Sequence, residues 1–83
     1  MGAKIYVGNL SFSIDDAKLK ETFSEYGEVT EAVVIKDRYS GRSKGFGFVT
    51  FAADDSAVKA VSEMNGKELD GRELKVSEAK PMQ

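Results

Sequence analysis

The 83 residues suffice for one domain with a single modest core, and 41% apolar beside 31% charged residues is the balance of an ordinary globular chain. There is no cysteine and no histidine, which excludes disulfides, thiolate metal sites and the commonest general base. The net charge of −2 argues against a nucleic-acid partner as an average, yet charge is segregated: Asp15, Asp16, Glu21, Glu25, Glu28 and Glu31 outweigh Lys18 and Lys20, whereas Lys36, Arg38, Arg42 and Lys44 face Asp37 alone.

Lys4-Ile5-Tyr6-Val7 alternates and ends at Gly8-Asn9, which predicts a strand and a turn. Ser13 with Asp16 three residues on resembles a capping box, Leu19 and Phe23 share a helical face behind it, and Gly27 supplies the stop after Tyr26. Val29 to Lys36 is β-branched and predicts a second strand, 37–43 a turn-rich loop, and Lys44 to Phe51 a third strand. Asp54-Asp55-Ser56 opens a second helix with Ala57, Val61 and Met64 on one face, closed by Asn65-Gly66. Leu69-Asp70-Gly71 reads as a turn, Glu73 to Ser77 as a last strand, and 81–83 as a short tail, so residues 1–83 make one domain with its core at about 4–80. The order β-α-β-β-α-β is an α+β, ferredoxin-like split βαβ arrangement: a four-stranded antiparallel sheet with two helices on one face.

The longest apolar run, Ala32 to Ile35, is far short of the ~20 residues of a membrane span. Met1 to Ile5 leads straight into the first strand without a leader pattern, so the expected compartment is the cytoplasm, or the nucleus for a eukaryotic source.

Strand side chains alternate between faces. Ile5, Val7, Ala32, Val34, Gly45, Gly47, Val49 and Phe51 are assigned to the helix side, with the glycines where a helix backbone comes close. Leu19, Phe23, Val29, Val61, Met64, Leu74 and Val76 complete the expected core. Tyr6, Val33, Ile35, Lys44, Phe46, Phe48 and Thr50 then point to the uncovered side. Three aromatic rings facing water forfeit several kcal/mol at about 25 cal/mol per Å², and such patches mark binding surfaces. Flat rings beside Lys4 and Lys44 suit unstacked bases on a phosphate backbone.

Lys44-Gly45-Phe46-Gly47-Phe48-Val49-Thr50-Phe51 resembles the eight-residue RNP signature of the RNA recognition motif (RRM) family, and Ile5-Tyr6-Val7-Gly8-Asn9-Leu10 its six-residue companion. The resemblance covers residues 4–80. Gly66 to Arg72 looks most like small single-domain bacterial RNA-binding proteins and the RRM of plant glycine-rich proteins, although no glycine-rich stretch follows Pro81. It implies that Tyr6 and Phe48 stack on successive bases, that Phe46 lies against sugars and that Lys44 meets a phosphate. Asn9, Val33 and Ile35 would edge the platform, and Lys75, Ser77, Ala79 and Lys80 would read base edges. Arg38, Tyr39 and Arg42 would flank the sheet, and the acidic helices would face away.

The implied partner is single-stranded RNA, read with limited specificity by a monomer that serves RNA regulation or processing. Single-stranded DNA and a protein partner on the same aromatic face remain the alternatives. No membrane, small-molecule substrate, metal or cofactor is expected. An acylphosphatase-like enzyme on this fold would need an arginine in the phosphate loop near the first strand, and Gly8 to Ser13 contains none. Gly45 and Gly47 lie inside a strand with no Gly-Lys-Ser/Thr after them, so they form no phosphate-cradling loop.

Overall fold

The computed structural model describes residues 3–79; Lys80 and the tail 81–83 lie outside the described residues. The chain runs β1 (Ala3–Gly8), α1 (Asp16–Phe23), a 3-10 turn (Ser24–Tyr26), β2 (Val29–Lys36), β3 (Ser43–Phe51), α2 (Asp54–Met64), β4 (Glu68–Leu69), β5 (Arg72–Glu73) and β6 (Lys75–Glu78). The main sheet has the order β2-β3-β1-β6 with every pairing antiparallel, which is the expected α+β architecture.

The eight-residue α1 is too short to be stable alone, and packing and capping hold it. Leu19 and Phe23, four apart, are fully buried. Its cap is Asp15, whose Oδ1 accepts from the Lys18 amide at 2.8 Å, and not the expected Ser13–Asp16 box. Ser13 instead points its hydroxyl to Ser11 and Asp70, and Asp16 Oδ1 accepts the main-chain N–H of Val34 at 2.7 Å. At the other edge of the sheet, Asn65 Oδ1 accepts from the Val76 amide at 3.0 Å. Each edge strand is thus pinned by a side chain at a helix end, which takes up part of the unpaired main chain that edges present.

The core lies between the helices and one sheet face. Ile5, Val7, Val49, Phe51, Leu19, Phe23, Leu74 and Val76 are buried as expected, and Ala60 joins Ala57 and Met64 from α2 while Val61 is only partly covered. Val29 and Val34 both reach this core despite opposite parity because β2 carries an irregularity between Val29 and Glu31. At Gly47 the close neighbours are the Val33 carbonyl of the adjacent strand and the Leu19 side chain, not a helix backbone.

The last part of the chain departs from expectation. Glu68–Leu69 and Arg72–Glu73 form a separate hairpin whose two central residues, Asp70 (φ 51°) and Gly71 (φ 82°), are both left-handed. The final strand therefore begins at Lys75, and Glu73 belongs to the hairpin.

Candidate nucleic-acid interface

The register aligns one row of side chains across the whole open face. Val33 lies opposite Phe48, Phe48 opposite Tyr6, and Tyr6 opposite Ser77. The neighbouring row sets Phe46 opposite Gly8 and Gly8 opposite Lys75. Gly8 is what lets the Tyr6 ring lie along the sheet, since a Cβ there would stand 2.5 Å from the Tyr6 hydroxyl.

The three rings touch as a triangle. Their centroids are 5.8 Å apart for Tyr6–Phe46, 5.9 Å for Tyr6–Phe48 and 6.2 Å for Phe46–Phe48. Each ring is half-buried, touching its neighbours edge-on in the Tyr6–Phe48 and Phe46–Phe48 pairs and tilted in Tyr6–Phe46, where the sequence predicted exposed rings. The Lys4 ammonium sits 4.8 Å from the Phe48 centroid, a cation–π contact on the face of that ring. Ile35 and Ala79 are half-buried, Lys75 and Ser77 are exposed, and the Ala79 amide extends the β6 pairing by donating to the Lys4 carbonyl at 3.0 Å.

Asn9 sits at the end of β1 with φ 60°, and its amide is already engaged: Nδ2 donates to the Glu73 carbonyl at 2.6 Å and Oδ1 accepts from Arg72 at 2.7 Å. Those bonds bring the guanidinium of Arg72 to the rim. Tyr6, Asn9, Phe12, Lys44, Phe46 and Arg72 are among the residues lining a cleft of about 260 Å³. Arg72 and Phe12 were missed from the sequence. The signal for Arg72 was the Asp70-Gly71 hairpin dipeptide, and for Phe12 an apolar residue outside any helical or strand period.

The β2–β3 connection is held by Asp37, whose Oδ1 accepts the Tyr39 and Ser40 amides at 2.8 and 3.1 Å. Those main-chain donors, Ser40 first and Tyr39 second, hold the Asp37 carboxyl below the usual aspartate range, and the charge of Lys44 adds to the effect. Arg38 leans toward Tyr39, which is 91% exposed, and lines neither this cleft nor the one beside Arg42. One acid breaks the expected separation of charge: Glu31 lies opposite Thr50, itself opposite Lys4, on the open-face row.

A four-stranded antiparallel sheet of this topology, backed by two helices and carrying aromatic side chains on its two central strands, defines the class of protein. Residues 5–75 match the family described as RNA recognition motif, and the chain belongs to that family. Among curated relatives, it is 56% identical over 77 residues to glycine-rich RNA-binding protein 4, mitochondrial, of Arabidopsis thaliana, covering 93% of this chain and 57% of that protein. It is 52% identical to glycine-rich RNA-binding protein 1 of Mycosarcoma maydis, covering 95% of this chain and 45% of that one. The chain therefore spans about half the length of these relatives. Among solved structures it is similar to RNA binding protein PG1, with a TM-score of 0.91, 42% identity and 96% of each chain covered. It is also similar to the Rna15 RRM with bound RNA (GU), with a TM-score of 0.86, 27% identity, and 98% and 86% of the two chains covered.

Proposed function

We propose that this domain binds single-stranded RNA by stacking successive bases on Tyr6 and Phe48, with Phe46 against the sugars. The observation that carries this reading is the contiguous ring triangle on a sheet face that no element covers among the described residues. Each base–aromatic stack contributes about 1–3 kcal/mol, and two adjacent stacks give a usable, weakly selective affinity. A base on Phe48 displaces the Lys4 ammonium from the ring, and Lys4 then joins Lys44 in meeting phosphates. Val33 and Ile35 border the bases on one side, and Lys75, Ser77 and Ala79 offer polar and main-chain groups on the other. Lys80 keeps its sequence-based role as a base-edge contact outside the described residues.

Asn9 acts through Arg72 more than by touching RNA, because both ends of its amide are occupied. Arg42 contributes a phosphate contact, and Arg38 a longer-range charge. The Rna15 RRM, solved with RNA, has the same fold, which supports the reading. A protein-binding role on the same face is not favoured, since all three stacking rings are present. Binding and not catalysis is proposed, in keeping with a chain that has neither histidine nor cysteine. Among the described residues no helix is long and apolar enough to cross a membrane. The names of some related proteins place those proteins in mitochondria or chloroplasts, and the cytoplasm stands for this chain only as an expectation from its sequence.

The test is fluorescence anisotropy with short single-stranded RNA, comparing the wild type with Tyr6→Ala/Phe48→Ala at matched salt. Saturable binding that the folded double variant loses supports the sheet as the site. Absence of wild-type binding to any RNA pool at low salt refutes it.

A further inference from the structure

Of the two asparagines, Asn9 and Asn65, only Asn65 is followed by glycine, and both members of that pair are exposed. Gly66 has no side chain to shield its amide nitrogen, so an Asn-Gly pair is where a chain most readily attacks itself. The Gly66 nitrogen adds to Asn65 Cγ, the Cγ–Nδ2 bond breaks, and the proton lost from the Gly66 amide leaves with Nδ2 as ammonia. Water then opens the resulting succinimide at either of its carbonyls, giving aspartate or isoaspartate. The fold holds the pair in an unreactive arrangement. Asn65 closes α2 with ψ 121°, which turns the Gly66 nitrogen away from the Asn65 side chain, whereas the ring needs it turned toward it. The nucleophile is also engaged: the Gly66 amide donates to the Leu74 carbonyl at 2.9 Å, and a proton held in a hydrogen bond is harder to remove. The side-chain amide is fixed in turn, because Asn65 Oδ1 accepts from the Val76 amide at 3.0 Å. Leu74 and Val76 flank Lys75 at the start of β6, so the same stretch supplies both bonds.

We propose that Asn65-Gly66 is a latent self-modification site latched by β6: while β6 is seated the pair is inert, and when β6 lifts the pair cyclises. The step needs no enzyme and no co-reactant beyond water. The aspartate product keeps an acceptor oxygen for the Val76 amide and restores the latch. Isoaspartate lengthens the main chain between α2 and β4 by a carbon and moves the acceptor, so the latch does not re-form. β6 is a four-residue edge strand paired only with β1, and the opening of such an element costs less than global unfolding. The free domain therefore visits the reactive state. RNA lying across the row of Tyr6 and Ser77 holds β6 down and shields the pair. That shielding alone rests on the reading of the sheet as an RNA platform; the latch does not.

The experiment incubates the whole chain in mildly alkaline buffer and follows the peptide 60–67, released by cleavage after Lys59 and Lys67. Mass spectrometry reads the loss of ammonia, and isoaspartate-specific methyl transfer reads the product. The samples are the wild type, the wild type in urea, Val76→Ala, which loosens β6 without touching the pair, and the wild type with saturating short single-stranded RNA. Urea should speed the loss of Asn65 by roughly tenfold or more, because the folded rate is the unfolded rate scaled by the open fraction. Val76→Ala should fall between, and hydrogen exchange at the Gly66 and Val76 amides should rank the samples in the same order. Equal rates in buffer and in urea, or amide exchange that does not follow the modification, overturn the latch. An Asn65 that survives in urea overturns the site itself. RNA should slow the wild type several-fold and leave Tyr6→Ala/Phe48→Ala unchanged. RNA that binds at the rings without slowing the loss overturns the shielding and leaves the sheet reading intact. RNA that does not bind at all refutes the sheet reading, while the urea and Val76→Ala rates still decide the latch.

Discussion

Asn9 and Arg72, 63 positions apart in the chain, are joined side chain to side chain at 2.7 Å, and the same Asn9 amide donates to the Glu73 carbonyl at 2.6 Å. One residue at the end of β1 thereby ties the β4–β5 hairpin to the sheet and sets a guanidinium beside Tyr6 and Phe46. Asparagine suits the position because it tolerates the left-handed backbone found there, φ 60°.

Asn9→Ala removes both bonds and leaves a Cβ in an unfavourable conformation, so it should destabilise the domain by about 2 kcal/mol. Asn9→Gly loses the bonds but relaxes the backbone strain and should fall between alanine and the wild type. Urea unfolding orders the three. A glycine variant no more stable than the alanine one would show that the backbone conformation contributes nothing.

Phe48 and Phe51 sit three residues apart on opposite faces of β3. Phe48→Ala should weaken RNA binding by about 1–3 kcal/mol and stability by about 1 kcal/mol, the second figure reflecting its edge contacts with Tyr6 and Phe46. Phe51, 1% exposed, is a core residue, and Phe51→Ala should cost about 3–5 kcal/mol of stability. Thermal melts beside binding isotherms separate the two, and equal losses of stability would contradict the face assignment.

The cations at the rings are few: Lys4 over Phe48, and Lys44 and Arg72 in the adjoining cleft. With the Arg42 contact these make about three to four phosphate contacts, and at ~0.7 each the slope of log affinity against log salt is about −2 to −3. A slope several times steeper, measured across a salt series, would mean that a broader basic surface takes part.

Asp37 ties the β2–β3 connection through main-chain donors that favour its charged form, so its folded pKa lies below the unfolded one. The sign follows: its contribution is present above the unfolded value and is lost as pH falls through the folded one. Acidification through that range should expose the Tyr39 and Ser40 amides to exchange, and Asp37→Asn should weaken their protection at neutral pH. Carboxyl NMR titration checks the first point, and an Asp37 that titrates above the ordinary aspartate range would contradict it.

Much of this was legible in the chain. β-branched alternation placed β2 at Val29–Lys36 and separated Phe46 and Phe48 from Val49 and Phe51, because a strand has only two faces and one must be apolar to pack. The motif residues then marked the open face. The cap of α1 was misread because Ser13 and Asp15 are both good cap residues, and the choice between them depends on where the preceding loop delivers the chain. The β4–β5 hairpin escaped because its strands are two residues each, too short for a periodic pattern, although Asp70-Gly71 signalled the turn.

The sequence by itself determined the order of the β-α-β-β-α-β elements, most of the core and the identity of the three central rings, since these follow from local periodicity and hydrophobicity. Only the tertiary structure decided that the rings shield one another, that Asn9 serves Arg72, that Glu31 shares the open-face row, and that Phe12 bridges two clefts. Those relationships join residues distant in the chain, and register and loop geometry, which no local pattern encodes, are what bring them together.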